Sequence, residues 1–128
     1  MSELNSIRVL SVDDNADSRE ITEFVLEQAG AVVTSVSSGA EALRVLCQRV
    51  FDALISDVGM PEMDGYELIE KVRVLPAEHN GDVAAIALTA YAGDHDAERS
   101  LAAGFQRHLT KPVAPEALIQ TLRELIGA

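Results

Sequence analysis

Short apolar runs alternate with longer segments of helical spacing from one end of the chain to the other. Ile7 to Val12, Ala31 to Val36, Ala53 to Ser56 and Val83 to Leu88 are each four to six residues of mostly aliphatic or small side chains, and Phe105 to Leu109 is a more polar run with an apolar residue at each end. Runs of that length bounded by polar turns predict strands, and the β-branched and alanine-rich stretch from Val83 predicts a buried central one. Asn15 is placed to cap a first helix with Ile21, Val25 and Ala29 inward, stopped by Gly30. Ser38 with Glu41, and Asp64 with Glu67, have the spacing of capping boxes. They stand ahead of Leu43, Leu46, Cys47 and Val50 in one helix and Leu68, Val72 and Leu75 in the next. After a loop from Pro76 to Asp82 and the fourth strand, a fourth helix runs from near Asp94 to Gly104 with only Ala97 and Leu101 on its apolar face. Pro115 opens a fifth helix with Leu118, Leu122 and Leu125 inward. Strict alternation of strand and helix predicts an α/β fold, a doubly wound five-stranded parallel sheet with helices on both faces.

Composition narrows this picture. At 128 residues the chain is expected to form one domain, 1–128, with no repeat or linker and no room for an output domain. With 48% apolar and 24% charged residues it is expected to fold as a globular protein. A formal charge of −11 argues against a nucleic-acid partner, because a phosphate backbone would be repelled. Cys47 lies at helical spacing among Leu43, Leu46 and Val50 and is expected to be a small buried hydrophobe. Met1 to Ser6 is polar and acidic, which is unlike a signal peptide, and no apolar run approaches the ~18 residues of a membrane helix. A cytoplasmic protein with no membrane contact is expected.

In an open parallel sheet, ligands bind beyond the carboxyl ends of the strands, so polar residues just after the apolar runs carry the candidate chemistry. Asp13 and Asp14 follow the first strand, Asp57 ends the third, Thr89 the fourth, and Lys111 follows the fifth. The predicted topology brings all of them to one edge. Three carboxylates in one crevice repel each other unless a cation is shared, and a hard ion held by carboxylates, water and phosphate oxygen points to Mg²⁺. Phosphoryl transfer needs positive charge on more than one side of the moving group and a nucleophile in line, and the metal, Lys111 and Asp57 fit those parts. Thr89 adds a short hydroxyl donor. A cis Lys111-Pro112 bond is expected, since the turn there must aim the lysine into the crevice. Each residue alone has a plainer reading: an Asp-Asp-Asn run caps helices, and an isolated lysine is a solvated charge. The joint pattern at four strand ends is what carries weight.

These residues, with the segment Asp57 to Gly65 (DVGMPEMDG) and Lys111-Pro112, resemble response-regulator receiver domains over essentially the whole chain. The resemblance implies a flavodoxin-like topology and a phosphoacceptor domain of a two-component phosphorelay. It implies that Asp57 takes a phosphoryl group from a phosphohistidine, with Mg²⁺ held by Asp14, Asp57 and the backbone carbonyl of Gly59, and Asp13 acting through water. Thr89 and Lys111 then grip the phosphoryl group, and their movement reshapes the surface of the fourth helix, fifth strand and fifth helix. The domain catalyses its own phosphorylation and dephosphorylation but turns over no external substrate. Two features depart from the commonest pattern. His108 stands where many members carry a Tyr or Phe that swings inward with the threonine, leaving it either a switch residue or a half-exposed strand residue. Gly59 leaves the site open to water, whereas Tyr91 could screen it. His79 and His95 lack the spacing of a metal pair. The segments GMPEMDGYEL, ALTAYA and RHLTKPV look most like receivers attached to hybrid sensor kinases. The implied partners are a sensor histidine kinase or histidine phosphotransfer protein, with a docking protein or attached kinase domains downstream; a free-standing regulator is equally compatible.

Three rivals stand beside this reading. An aspartate-nucleophile phosphatase would use the same residue types but needs a second aspartate where Gly59 stands. A flavodoxin-like nucleotide binder would offer hydroxyls and amides to phosphate after the first strand, where Asp13 and Asp14 would repel it. A docking module that is never phosphorylated would have no use for the complete acidic site.

Overall fold

The computed structural model describes residues 4–90 and 94–127, with residues 94–96 described by backbone alone. Strands β1 (Arg8–Val12), β2 (Val32–Val36), β3 (Ala53–Asp57), β4 (Ala84–Thr89) and β5 (Arg107–Thr110) form one sheet in the order β2-β1-β3-β4-β5. All four pairings are parallel. Between and after them lie α1 (Ala16–Gln28), α2 (Gly39–Leu46), α3 (Gly65–Arg73), α4 (Asp94–Ala103) and α5 (Pro115–Ile126), with a 3₁₀ turn at Ala77–His79 in the loop before β4. This is the doubly wound, flavodoxin-like order that the alternation predicts. Among the described residues no helix is long and apolar enough to cross a membrane.

Side chains alternate across each strand, so the sheet separates two apolar clusters. Leu10, Val12, Leu54, Ala85 and Ala87 face one side, against Leu46 of α2 and Leu68, Ile69 and Val72 of α3. Val9, Ala53, Ile55, Ile86 and Leu88 face the other, against Leu26 of α1 and Leu118 and Leu122 of α5. Burying each of the larger aliphatic side chains stabilises the fold by about 1.5–3 kcal/mol. The caps follow the sequence in two cases of three. The Asn15 side chain accepts from the Ser18 amide at 2.9 Å. Asp64 and Glu67 bond reciprocally, Asp64 Oδ1 accepting the Glu67 amide at 2.9 Å and Glu67 Oε1 the Asp64 amide at 3.4 Å. Ser38 accepts from the Glu41 amide, but the Glu41 carboxylate takes the Ser37 hydroxyl at 2.7 Å instead of completing the box, a short charge-assisted bond.

Three expectations about helix faces are corrected. Ile21 is 65% exposed and Val25 half-buried, while Leu26 is fully buried, so α1 packs on a face centred at Leu26 and Ala29 and turns Ile21 and Phe24 to solvent. Cys47 is exposed because α2 ends at Leu46: Cys47 is the C-cap, beyond the stripe, and Val50 in the following turn is also exposed. On α4, Leu101 is exposed and Ser100 fully buried, because the helix packs through Ser100 and the small Ala103. The expectations for Tyr91 and for the His95 side chain lie outside the described residues.

Two polar side chains brace the loops. Asn80, buried and in left-handed backbone (φ 70°), accepts from the Phe51 amide at 2.9 Å and donates to the carbonyls of Leu46 and Arg49 at 2.8 and 2.7 Å. It ties the approach to β4 to the end of α2. Arg73 donates to the carbonyls of Val83 and Gly104 at 2.7 and 2.9 Å; its burial lowers its pKa and nearby Asp82 opposes the shift. Asn80→Ala removes the partner of two buried backbone groups and one part-buried one, and is expected to cost about 2–4 kcal/mol by urea denaturation, with no change in the cleft described next.

Candidate functional site

The carboxyl ends of β1, β3 and β4 and the segment after β5 converge on one edge of the sheet. Asp13 follows β1, its amide donating to the Val36 carbonyl at 3.2 Å. Its side-chain Oδ1 accepts the Asn15 amide at 2.9 Å, so one carboxylate both starts the turn into α1 and faces the cleft. Asp57 is the last residue of β3. The next turn is held by the Val58 amide donating to the Leu88 carbonyl at 3.0 Å and the Gly65 amide donating to the Val58 carbonyl at 2.9 Å. A Cβ at Gly65 would lie 2.7 Å from the Asp57 carbonyl oxygen and 2.8 Å from the Val58 Cα. Only glycine lets the start of α3 approach the Asp57 backbone this closely.

One carboxylate oxygen each from Asp13, Asp14 and Asp57 lies within 4.8 Å of the others. Asp13 and Asp57 are buried and Asp14 is exposed. Lys111 Nζ lies 3.3 Å from Asp13 Oδ2 and 3.4 Å from Asp57 Oδ2, bridging the two buried acids. The Lys111 amide donates to the Thr89 carbonyl at 2.7 Å, which locks the start of this segment to the end of β4. The Lys111-Pro112 peptide is cis, as expected. Burial pushes the Asp57 carboxyl above the ordinary carboxylate range and the Asp13 charge adds to this; Lys111 and the Gly59 amide, which donates to Asp57 Oδ1 at 3.3 Å, oppose it. Three hard oxygen donors with one ammonium counter-charge form a donor set that suits a small divalent cation.

Asp57, Gly59, Thr89 and Lys111 line a common cleft of about 520 Å³ together with Asp64, Tyr66 and Arg99. The sequence-predicted residues of all four strand ends are therefore brought together. Thr89 is buried, and its Oγ1 lies 2.6 Å from Nε2 of the half-buried His108. His108, placed beside the threonine by the resemblance, thus contacts it directly. The sequence reading missed Arg99, whose guanidinium stacks over the Tyr66 ring at 4.1 Å on the cleft wall, and Arg19, which donates to the Asp13 carbonyl at 2.8 Å. Arg19 and Arg99 lie on helices without a motif, so no local signal marks them.

Residues 9–123 match the model of the response regulator receiver domain. The chain belongs to that family. Among curated relatives, this receiver is 45% identical over 124 residues to the 14.6 kDa protein in the sodA1 3′ region of Leptolyngbya boryana, covering 97% of this chain and 93% of the relative. It is 36% identical over 121 residues to the sensor protein GacS of Pseudomonas syringae pv. syringae, covering 94% of this chain but only 13% of GacS. Among solved structures, the receiver domain of the sensor histidine kinase PA1611 from Pseudomonas aeruginosa, which has a magnesium ion coordinated in its active-site cleft, superposes with a TM-score of 0.87 at 32% identity, covering 96% of this chain and 99% of that one. The receiver of Ssk1 from Saccharomyces cerevisiae, crystallised with the phosphotransfer protein Ypd1, does so with a TM-score of 0.86 at 25% identity, covering 94% and 89%. Receivers are signalling modules of two-component systems, and this chain is one of them.

Proposed function

We propose that Asp57 is the phosphoacceptor of a single receiver domain spanning 1–128, charged by a phosphohistidine on a sensor histidine kinase or histidine phosphotransfer protein. The observation that carries this reading is the bridge from Lys111 to both Asp13 and Asp57 at the mouth of a three-carboxylate cluster. Asp13, Asp14, Asp57 and the Gly59 carbonyl would hold Mg²⁺. When bound, the ion supplies a second positive charge against the oxygens of the incoming phosphoryl group. An Asp57 carboxylate oxygen attacks phosphorus, the P–N bond breaks, and the donor imidazole departs with its electron pair and takes a proton from water. Lys111 moves its charge from the Asp57 carboxylate to a phosphoryl oxygen, and the Thr89 hydroxyl donates to another.

The donor is expected to dock on α1. Ile21 and Phe24 are exposed there, and Ile21, Thr22, Pro112 and Val113 line a largely apolar hollow of about 450 Å³ that reaches Lys111. Exposed apolar side chains beside a reactive cleft mark a protein-binding face. Gly59 is where a phosphatase would need its second acid, and it carries no side chain to act as one. That favours a carrier over an enzyme acting on external esters. The charge of −11 favours a protein partner over nucleic acid.

The test is intact-mass measurement after incubation with acetyl phosphate. The wild type is expected to gain one labile phosphoryl group with Mg²⁺, none with EDTA, and none in Asp57→Asn. If neither small donors nor a phosphorylated histidine phosphotransfer protein give an adduct, an unphosphorylated docking module becomes the better reading.

A further inference from the structure

Arg99 is a cation on the cleft wall that the phosphoryl chemistry above does not use. It stands on α4 next to the buried Ser100, and its guanidinium lies over the Tyr66 ring, 4.1 Å from the centroid. That ring is only 7% exposed and directly follows Gly65, whose close approach fixes the start of α3 against the Asp57 main chain. The cation is therefore placed relative to the backbone that carries Asp57. Among the described residues the guanidinium has no hydrogen bond and no ion pair. A ring beneath it supplies attraction but leaves free the planar fork of N–H donors that matches phosphate oxygens. Other charges of the cleft are committed: Lys111 bridges Asp13 and Asp57, and Asp64 caps α3.

We propose that Arg99 is a phosphoryl-binding residue whose guanidinium, seated on Tyr66, donates to an oxygen of the phosphoryl group as it arrives on Asp57. This rests on the reading of Asp57 as phosphoacceptor and deepens it. The need for such a group follows from charge: an anionic donor approaches a chain of −11 and a cluster of three carboxylates, and the Lys111 ammonium is held by two of them. With acetyl phosphate, an Asp57 oxygen bonds to phosphorus, the bridging P–O bond breaks, and acetate leaves with the electron pair. With phosphoramidate the P–N bond breaks, and the nitrogen leaves with the pair as ammonia, taking a proton from water. Arg99 exchanges no proton in either case. The plainer use of an exposed arginine over a tyrosine is a staple between α3 and α4, which needs the stack but not the fork.

The experiment follows adduct formation by intact mass in the full chain with saturating Mg²⁺, using acetyl phosphate and phosphoramidate in parallel, at low and high salt. Arg99 is exposed, so Arg99→Gln and Arg99→Lys leave the core intact, and thermal melts check this. At low salt Arg99→Gln is expected to form the adduct about tenfold more slowly with both donors, less than the loss of a fully enclosed donor because the site is open to water. Arg99→Lys should recover part of the rate, and the gap between wild type and Arg99→Gln should narrow as salt rises. A wild-type rate in Arg99→Gln overturns the proposal. So does a loss confined to acetyl phosphate, which would put the guanidinium on the leaving acetate, or a gap indifferent to salt, which would make Arg99 a staple. Each of these leaves the Asp57 reading standing, whereas absence of any adduct in the wild type removes both.

Discussion

Asp57→Asn is expected to lose the phosphoryl adduct completely and, in metal-free buffer at neutral pH, to melt at a higher temperature than the wild type. The two effects have one cause. Asp57 is buried beside a second buried carboxylate, and burial with the Asp13 charge raises its pKa despite Lys111 and the Gly59 amide. A carboxyl whose pKa is higher in the folded than in the unfolded protein favours folding in its protonated form; that stability is fully present below the ordinary carboxylate range and is lost as pH rises through the raised value. At neutral pH the ionised Asp57 therefore destabilises the apo fold, and the neutral amide relieves it. The Tm advantage of Asp57→Asn should shrink as the buffer is acidified through that window. It should also shrink as Mg²⁺ is added, because an ion that binds the native wild type stabilises it by mass action. A variant less stable than wild type in EDTA at neutral pH would show that the Lys111 attraction outweighs burial and Asp13.

Lys111→Ala is expected to slow phosphorylation by acetyl phosphate about 10²–10³-fold, the usual loss when one fixed donor to a developing anion is removed. Its effect on stability should run opposite to that of Asp57→Asn. At 3.3 and 3.4 Å from two carboxylates, the ammonium interacts with each by ~5 kcal/mol at an effective dielectric of 20. Partial exposure of the lysine, 28% of its side chain, leaves a net loss nearer ~1–2 kcal/mol on truncation. Thermal melts should place Lys111→Ala below wild type in EDTA. In Asp57→Asn, the same lysine change should cost less, since only Asp13 is then left uncompensated; equal losses in both backgrounds would mean that Lys111 and Asp57 are not coupled.

Much of the fold is legible because its signals are local. Apolar runs of strand length, the Asn15 and Asp64 caps and Pro115 at the start of α5 each report on a few neighbouring residues, and the parallel sheet follows from their alternation. The acidic cluster is legible for a related reason: a polar residue directly after a buried strand has one place to go in this topology, the sheet edge. What stays hidden is set by contacts between distant segments. Two apolar stripes on α1 look alike in sequence, and only packing against the sheet selects Leu26 over Ile21. Cys47 falls outside its stripe because α2 ends one residue earlier. The bond from Thr89 to His108 depends on the β4–β5 register, and the stacking of Arg99 on Tyr66 on how α4 lies against α3.

The close seat of Gly65 against the Asp57 and Val58 backbone makes the two walls of the cleft mechanically unequal. On that side, α3 has no slack: its first turn touches main chain that is itself held by β4, so a displacement at Asp57 would have to carry the helix with it. Backbone against backbone leaves no side-chain torsion to absorb a shift, whereas the Thr89 hydroxyl and the Arg99 guanidinium elsewhere on the cleft can turn about single bonds. Strain introduced by a charged group on Asp57 is therefore expected to relax toward Thr89 and α4. On the proposed reading, the absence of a methyl group at Gly65 would set the direction in which the signal travels.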